Sequence, residues 1–162
     1  MQLPDELYSA LNQQMNREQA NARFYEQTAS RFETLYLSGF AVLMRKQAAG
    51  EMEHAAKVRD YLTDRNLEPT NDALPAERLG TPGPVQLLGA VLKREQETSA
   101  QWETIYLAAD TRAEVPTIDL ALWFMREQVE EERLATEWLG RVTLAGNNAA
   151  ALLVLDAQAK GD

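Results

Sequence analysis

Apolar side chains recur along most of the chain at alternating steps of three and four residues, which is the spacing of one buried face of an α-helix. Four long segments show this spacing, and a shorter apolar segment follows them. No segment alternates apolar and polar residues with a period of two, and Glu, Gln, Ala, Leu and Arg, all good helix formers, dominate the composition. The pattern predicts helices over residues 5–33, 38–65, 84–111, 116–144 and 148–158.

Proline and glycine predict where the helices are connected. Six of these residues cluster between positions 69 and 84, which indicates one extended loop over about residues 66–84. Such a loop can reach ~60 Å, which exceeds the ~42 Å length of a 28-residue helix. Two tight turns and one long crossover predict an all-α fold: a four-helix bundle whose crossover joins the second and third helices, plus a short C-terminal fifth helix, in a single domain over residues 1–162.

Polar residues interrupt each predicted buried face near the middle of its helix. The interruptions lie, in chain order, at Glu18, at Glu51 and His54, at Glu95, and at Gln128 and Glu131. A lone interruption of this kind usually marks the boundary of a buried face, but four at one level of a bundle favour a shared site. Ionised carboxylates are costly to bury together, and a pair of divalent cations removes that cost. Glu51 and His54 also show the Glu-x-x-His spacing of di-iron and di-manganese carboxylate bundles.

Composition narrows the chemistry that such a site can perform. The 162 residues include no cysteine and a single histidine, which excludes thiolate metal sites, cysteine nucleophiles and histidine-rich zinc sites. Carboxylates with one imidazole suit iron or manganese. The formal net charge of −9 disfavours nucleic acids and anionic membranes as partners. Because the sequence shows neither a signal-peptide pattern nor a membrane-spanning apolar run, we expect a cytoplasmic protein.

Several segments together resemble a known family. They are residues 11–18 with Tyr25 seven positions beyond Glu18, Glu51-Met52-Glu53-His54 followed by Asp60-Tyr61-Leu62, Arg94-Glu95-Gln96, Trp123 with residues 127–132, and Leu144-Ala145-Gly146 leading to Leu152 and Asp156. The combination resembles the non-haem ferritins, in particular the bacterial ones, over essentially the whole chain. The resemblance implies a ferritin-like bundle that stores iron.

The resemblance also implies a di-iron ferroxidase centre. Its first iron would bind to Glu18, Glu51 and His54, and its second to Glu51, Glu95 and Glu131, with Glu51 bridging the two. Fe(II) would be oxidised there by dioxygen or hydrogen peroxide, and ferric mineral would collect in the lumen of a homo-oligomeric cage of 24 subunits.

Two further residues correspond to family positions beside the centre. Gln128 would act as a hydrogen-bonding neighbour, and Tyr25 would assist by hydrogen bonding or by donating an electron. From the pattern alone, Tyr25 could equally be a core aromatic residue whose hydroxyl group is satisfied, and the three tryptophans are interpreted as packing residues.

Other branches of the family fit less well. Bacterioferritins, the alternative, carry histidine where Glu131 stands and bind haem through a methionine at the position of Met52, so we expect no haem. Bacterial ferritins often have a carboxylate before the bridging glutamate, where this chain has Gly50, so a third iron site would depend on Glu127, Glu130 and Glu131 and would be weak.

Two alternatives remain at the level of function. One is a di-iron or di-manganese oxidase or peroxidase without storage, and the other is a structural shell subunit without a working centre, which the five filled ligand positions disfavour. Apolar residues outside the buried faces, at positions 35–37 and 152–155, favour assembly because a single subunit would leave them exposed.

Overall fold

Five α-helices form the regular structure of residues 2–161, the part of the chain that this computed structural model describes. They are α1 (Asp5–Thr34), α2 (Ser38–Asp64), α3 (Pro84–Thr111), α4 (Val115–Ala145) and α5 (Ala149–Ala159). No strand occurs over those residues. Each helix end lies within one residue of the position that the hydrophobic pattern predicts.

The helices pack as two pairs, α1 with α2 and α3 with α4, and α1 also contacts α3. The all-α bundle with a long crossover and a short fifth helix is therefore confirmed. Its apolar core has two parts: one cluster contains Phe32, Phe40 and Trp138, and the other contains Leu7 and Trp102. Along every long helix the two clusters leave a gap at the same level, and the polar interruptions of the buried faces fall in that gap.

The crossover over residues 65–83 runs along α1. Near its beginning the Tyr8 hydroxyl donates to the Glu68 carbonyl at 2.7 Å, and near its end Arg31 Nε donates to the Pro82 carbonyl at 3.0 Å. Between them Asn12 pairs with Thr70 in both directions. Because an α-helix rises 1.5 Å per residue, the contacts span about 35 Å of α1.

The three turns at the ends of α1, α2 and α3 share one backbone motif. Tyr36, Asn66 and Ala113 have φ between 51° and 61°, and the next backbone N–H donates to a carbonyl five residues earlier. This Schellman arrangement normally uses glycine. In the first turn it leaves Tyr36 89% exposed but buries Leu37. The expectation that residues 35–37 form one exposed apolar patch is therefore wrong for Leu37.

Helix α5 docks against the start of α2 through a close backbone approach. The Asp156 carboxylate accepts a hydrogen bond of 2.8 Å from the Phe40 backbone N–H. A Cβ atom on Gly39 would lie 1.8 Å from the Asp156 carbonyl oxygen, so only glycine fits there. Leu152 and Leu155 pack against the core, whereas Leu153 and Val154 are more than half exposed. None of the five helices is long and apolar enough to cross a membrane, over the residues described.

Candidate metal centre

Glu18 of α1 meets Glu51 and His54 of α2 in the polar layer between the two apolar clusters. One carboxylate oxygen from each glutamate and one His54 ring nitrogen lie within 4.8 Å of one another. The side-by-side packing of α1 and α2 brings Glu18 to this level, and the i, i+3 spacing directs Glu51 and His54 to the same side of α2. Residues 2–161 contain no other group of three or more acidic, histidine or cysteine residues in such an arrangement.

The buried imidazole fits a metal ligand. His54 Nδ1 has no hydrogen-bond partner among the described residues, and it lies 3.7 Å from Glu51 Oε2. Buried polar atoms in folded proteins are nearly always paired, so an unpaired ring nitrogen facing a carboxylate needs an explanation. A divalent cation bound between the nitrogen and the glutamate oxygens would supply one.

Three neutral side chains donate hydrogen bonds to Glu18. Gln14 Nε2 and Trp102 Nε1 both donate to Oε1, at 2.8 and 2.9 Å, and Asn21 Nδ2 donates to Oε2 at 3.4 Å. The same Asn21 amide lies 3.4 Å from Glu51 Oε2, so it bridges two predicted ligands. These three donors satisfy the carboxylate without neutralising its charge.

The sequence pattern missed these three donors, although part of the signal was available. Gln14 and Asn21 lie four residues before and three residues after Glu18, which places both beside it on a helix. Trp102 was interpreted as a packing residue. It does stack on Phe124, but its indole N–H also reaches the predicted centre.

Glu95 of α3 is fully buried and is bound by two of the residues singled out above. The Tyr25 hydroxyl donates to Oε1, and Gln128 Nε2 donates to Oε2 at 3.0 Å. Tyr25 and Gln128 thus connect α1 and α4 to the carboxylate of α3. Both residues therefore lie beside one of the predicted ligands.

Glu131 of α4 is half-buried rather than fully buried as its place in the periodic pattern suggests. Its Oε2 accepts a hydrogen bond from Gln47 Nε2. Glu95 and Glu131 lie outside the group of three within 4.8 Å, but both carboxylates act on it electrostatically, because each raises the pKa of Glu51. The structure therefore joins Glu18, Glu51 and His54 closely and sets Glu95 and Glu131 around them.

Burial dominates the electrostatics of the centre. It raises the pKa of Glu18 to about 8, with the Glu51 carboxylate adding to the effect. Burial followed by the charge of Glu95 raises the pKa of Glu51 to about 8. Burial likewise raises the pKa values of Glu95, Glu131 and, well above its usual range, Tyr25. At neutral pH the metal-free centre thus retains protons that a bound cation would displace.

Within residues 2–161, Glu127, Glu130 and Glu131, the residues of the predicted weak third site, do not form a second group of ligand atoms within 4.8 Å of one another, although the charge of Glu127 adds to the raised pKa of Glu131. Glu130 is exposed and pairs with Arg133 at 3.0 Å. Glu127 lines a surface cavity that also contains His54 and Trp123. Gly50, next to Glu51, has open space where a side chain would project.

In this protein, carboxylates and one imidazole converge at the middle of a four-helix bundle. This arrangement is typical of the carboxylate metal-binding bundles. Within that class, residues 8–145 match the family model of the ferritin-like domain. The chain therefore belongs to the ferritin family, and its relatives place it among the non-haem ferritins.

The relatives match nearly the whole chain. A bacterial non-heme ferritin of Escherichia coli is 29% identical over 154 residues, which cover 95% of this chain and 93% of the relative. One of Bacteroides fragilis is 29% identical over 156 residues, covering 96% and 97%. Among solved structures, an open pore ferritin from Archaeoglobus fulgidus is 28% identical and superimposes with a TM-score of 0.95 over 98% of both chains.

Proposed function

We propose that this protein stores iron and oxidises Fe(II) within each subunit. Glu18, Glu51 and His54 bind one ferrous ion, and Glu51, Glu95 and Glu131 bind a second, with Glu51 between them. The observation that carries the proposal is the unpaired, buried Nδ1 of His54 next to two glutamate oxygens. Membership of the ferritin family supports iron as the metal.

The protein groups suit oxidation of iron in pairs. Two Fe(II) ions give one electron each to dioxygen, which takes up two protons and leaves as hydrogen peroxide. With hydrogen peroxide as the oxidant, the two electrons and two protons convert it into two water molecules. Anionic oxygen ligands favour the Fe(III) product over Fe(II). Tyr25, bound to Glu95, is close enough to the centre to donate a hydrogen bond or an electron.

The oxidised iron then leaves as ferric oxo-hydroxide and collects inside a closed shell of 24 copies of the chain in the cytoplasm. Exposed apolar side chains at Tyr36, Leu144, Leu153 and Val154 support assembly, since a free subunit would leave them in water. The ferritins among the structural relatives also support an oligomeric assembly.

An anaerobic titration with Fe(II), followed by air, tests the proposal. We expect about two ferrous ions to bind tightly per subunit and to oxidise rapidly, seen as a rise in near-ultraviolet absorbance. Further additions should give a large, iron-filled particle by size-exclusion chromatography with mass detection. No rapid absorbance change would refute the ferroxidase activity, and a monomer or small dimer at micromolar concentration would refute the shell.

A further inference from the structure

Trp102 links the apolar core to the candidate centre. Its side chain is fully buried, and its indole ring stacks on Phe124 with ring centres 3.8 Å apart and planes within 8° of parallel. A ring clamped this tightly has one orientation. In that orientation Nε1 donates to Glu18 Oε1 at 2.9 Å.

The same aromatic stack also supports the imidazole. The Phe124 ring meets the His54 ring edge to face, with centres 5.4 Å apart. Trp102 and Phe124 come from α3 and α4, whereas Glu18 and His54 come from α1 and α2. One rigid pair of rings in one half of the bundle therefore contacts an oxygen ligand and the nitrogen ligand in the other half.

The hydrogen bonds of Glu18 distinguish its two oxygens. Oε1 accepts from Gln14 and Trp102 at 2.8 and 2.9 Å, whereas the contact that Asn21 makes with Oε2 is longer, at 3.4 Å. The Asn21 amide that contacts Glu18 Oε2 also reaches Glu51 Oε2, which lies 3.7 Å from His54 Nδ1. With Oε1 held by two donors, Oε2 is the Glu18 oxygen left available to a metal bound by Glu51 and His54.

We propose that Trp102 is a positioning residue that fixes the Glu18 carboxylate so that Oε2 binds the metal shared with Glu51 and His54. The inference rests on the proposed function. An N–H donor at Oε1 removes the freedom of the carboxylate to turn, so less order has to be created when the metal binds. Loss of the donor should therefore weaken the first metal site more than it changes the fold.

Zn²⁺ serves as the probe because it cannot be oxidised. We would titrate the assembled, metal-free protein by calorimetry and compare it with Trp102→Phe, which removes the N–H and keeps an aromatic ring. Trp138→Phe is the matched control, because Trp138 packs on Phe40 in the other apolar cluster. If Trp102→Phe folds poorly, β-(3-benzothienyl)alanine at position 102 replaces N–H by sulfur at nearly constant shape.

We expect loss of the N–H to weaken the first Zn²⁺ site by about tenfold. It should also change the visible absorption of bound Co²⁺, a readout of ligand geometry that a purely structural role would leave unaltered. Trp138→Phe should retain both properties.

Two results would overturn the inference: affinity and Co²⁺ spectrum unchanged without the N–H, or equal losses in both tryptophan variants. If the unmodified protein binds no Zn²⁺ or Co²⁺, the proposed function fails as well. If that protein binds and oxidises normally and only the Trp102 effect is absent, the proposed function stands and this inference alone fails.

Discussion

Two regions of the bundle bury glutamates, and they shift the pKa of the glutamate in opposite directions. At the start of α4, Glu114 is 4% exposed, accepts a hydrogen bond from the Thr117 backbone N–H and pairs with Arg65 at 2.8 Å. Burial acts to raise the pKa of Glu114, but the contacts with Thr117 and Arg65 outweigh it and lower that pKa. At the middle of the bundle, Glu18 is contacted by neutral donors, and burial raises its pKa to about 8.

The difference separates a structural carboxylate from a ligand. Glu114 already has a cation, and its place at the N-terminus of α4 lets it cap the helix. Glu18 and Glu51 have no such cation within residues 2–161: Glu51 adds to the cost of ionising Glu18, and Glu95 and Glu131 add to the cost of ionising Glu51. This is the state of a site whose cation comes from solution.

Removing a ligand from the middle of the bundle should abolish the fast oxidation. We expect His54→Ala and Glu51→Ala to slow the initial phase of Fe(II) oxidation by more than the ~10–100-fold typical of losing a neighbour of a ligand. Stopped-flow absorbance measures this phase.

Glu132→Ala is the control for the ligand variants, because Glu132 bonds to Ser99 and lies off the centre. It should change the rate less than twofold, by order of magnitude. Equal losses in all three variants would show that the buried faces were assigned incorrectly.

The stability of the metal-free protein should fall as pH rises. Glu18 and Glu51, with pKa values raised from 4.5 to about 8, keep protons in the folded state that the unfolded chain loses. Since the folded state binds more protons between those values, the free energy of unfolding decreases from pH 4.5 to 8. Calorimetric scans should show a lower Tm at pH 8 than at pH 5, and Zn²⁺ should raise Tm more at pH 8.

A Glu51→Gln variant provides the control for this slope, because glutamine has no proton to lose. Its Tm should depend less on pH than that of the unmodified protein. An identical slope in the two proteins would assign the pH dependence to groups outside the centre.

Neutralising the two kinds of glutamate should change stability in opposite directions. Glu114→Gln breaks a buried ion pair and weakens a helix cap, and should destabilise the protein by about 1–3 kcal/mol. Glu51→Gln removes a costly buried charge and should stabilise the metal-free protein at pH 8. Denaturant unfolding measures both, and destabilisation by both variants would contradict the contrast.

The smallest effect concerns Gly50. We expect Gly50→Glu to raise the iron oxidised in the first turnover from about two toward three per subunit, because it adds an oxygen ligand from α2 beside Glu51. It should also stabilise α2, since glycine inside a helix costs about 0.5–1 kcal/mol relative to alanine and the added side chain meets open space.

Gly50→Ala tests the two parts of that prediction separately, because it should reproduce the gain in stability without the third iron. Full occupancy of metal at Glu127 and Glu130 in iron-soaked crystals of the unmodified protein would show that Gly50 does not limit the third site.

Helical periodicity was enough to predict the fold and the level at which polar residues interrupt the apolar core. Apolar positions such as Leu11, Met15 and Phe32 repeat with the helical period and are buried, so Glu18 stood out against them. Glu51 and His54 stood out for the same reason. Periodicity indicates which face of a helix a residue occupies. That information is sufficient to single out a polar side chain on a buried face.

Periodicity says nothing about how far a side chain reaches or what it donates. Trp102 and Asn21 occupy positions that an apolar or small residue would fill, and only the three-dimensional packing brings their N–H groups to Glu18. The tight turn before α2 was predicted, but its left-handed residue was not, because Tyr36 stands where glycine would have signalled that backbone. Glu131 is half-buried because a periodic pattern does not measure depth.

The contact between α5 and the start of α2 constrains the order in which the chain can fold. The hydrogen bond from Phe40 to Asp156 joins residues 116 positions apart. That contact closes only after Asp156 has been synthesised, whereas the α1–α2 hairpin needs only its own short turn. The first hairpin can therefore form on the ribosome before the carboxylate that accepts from the start of its second helix has been made.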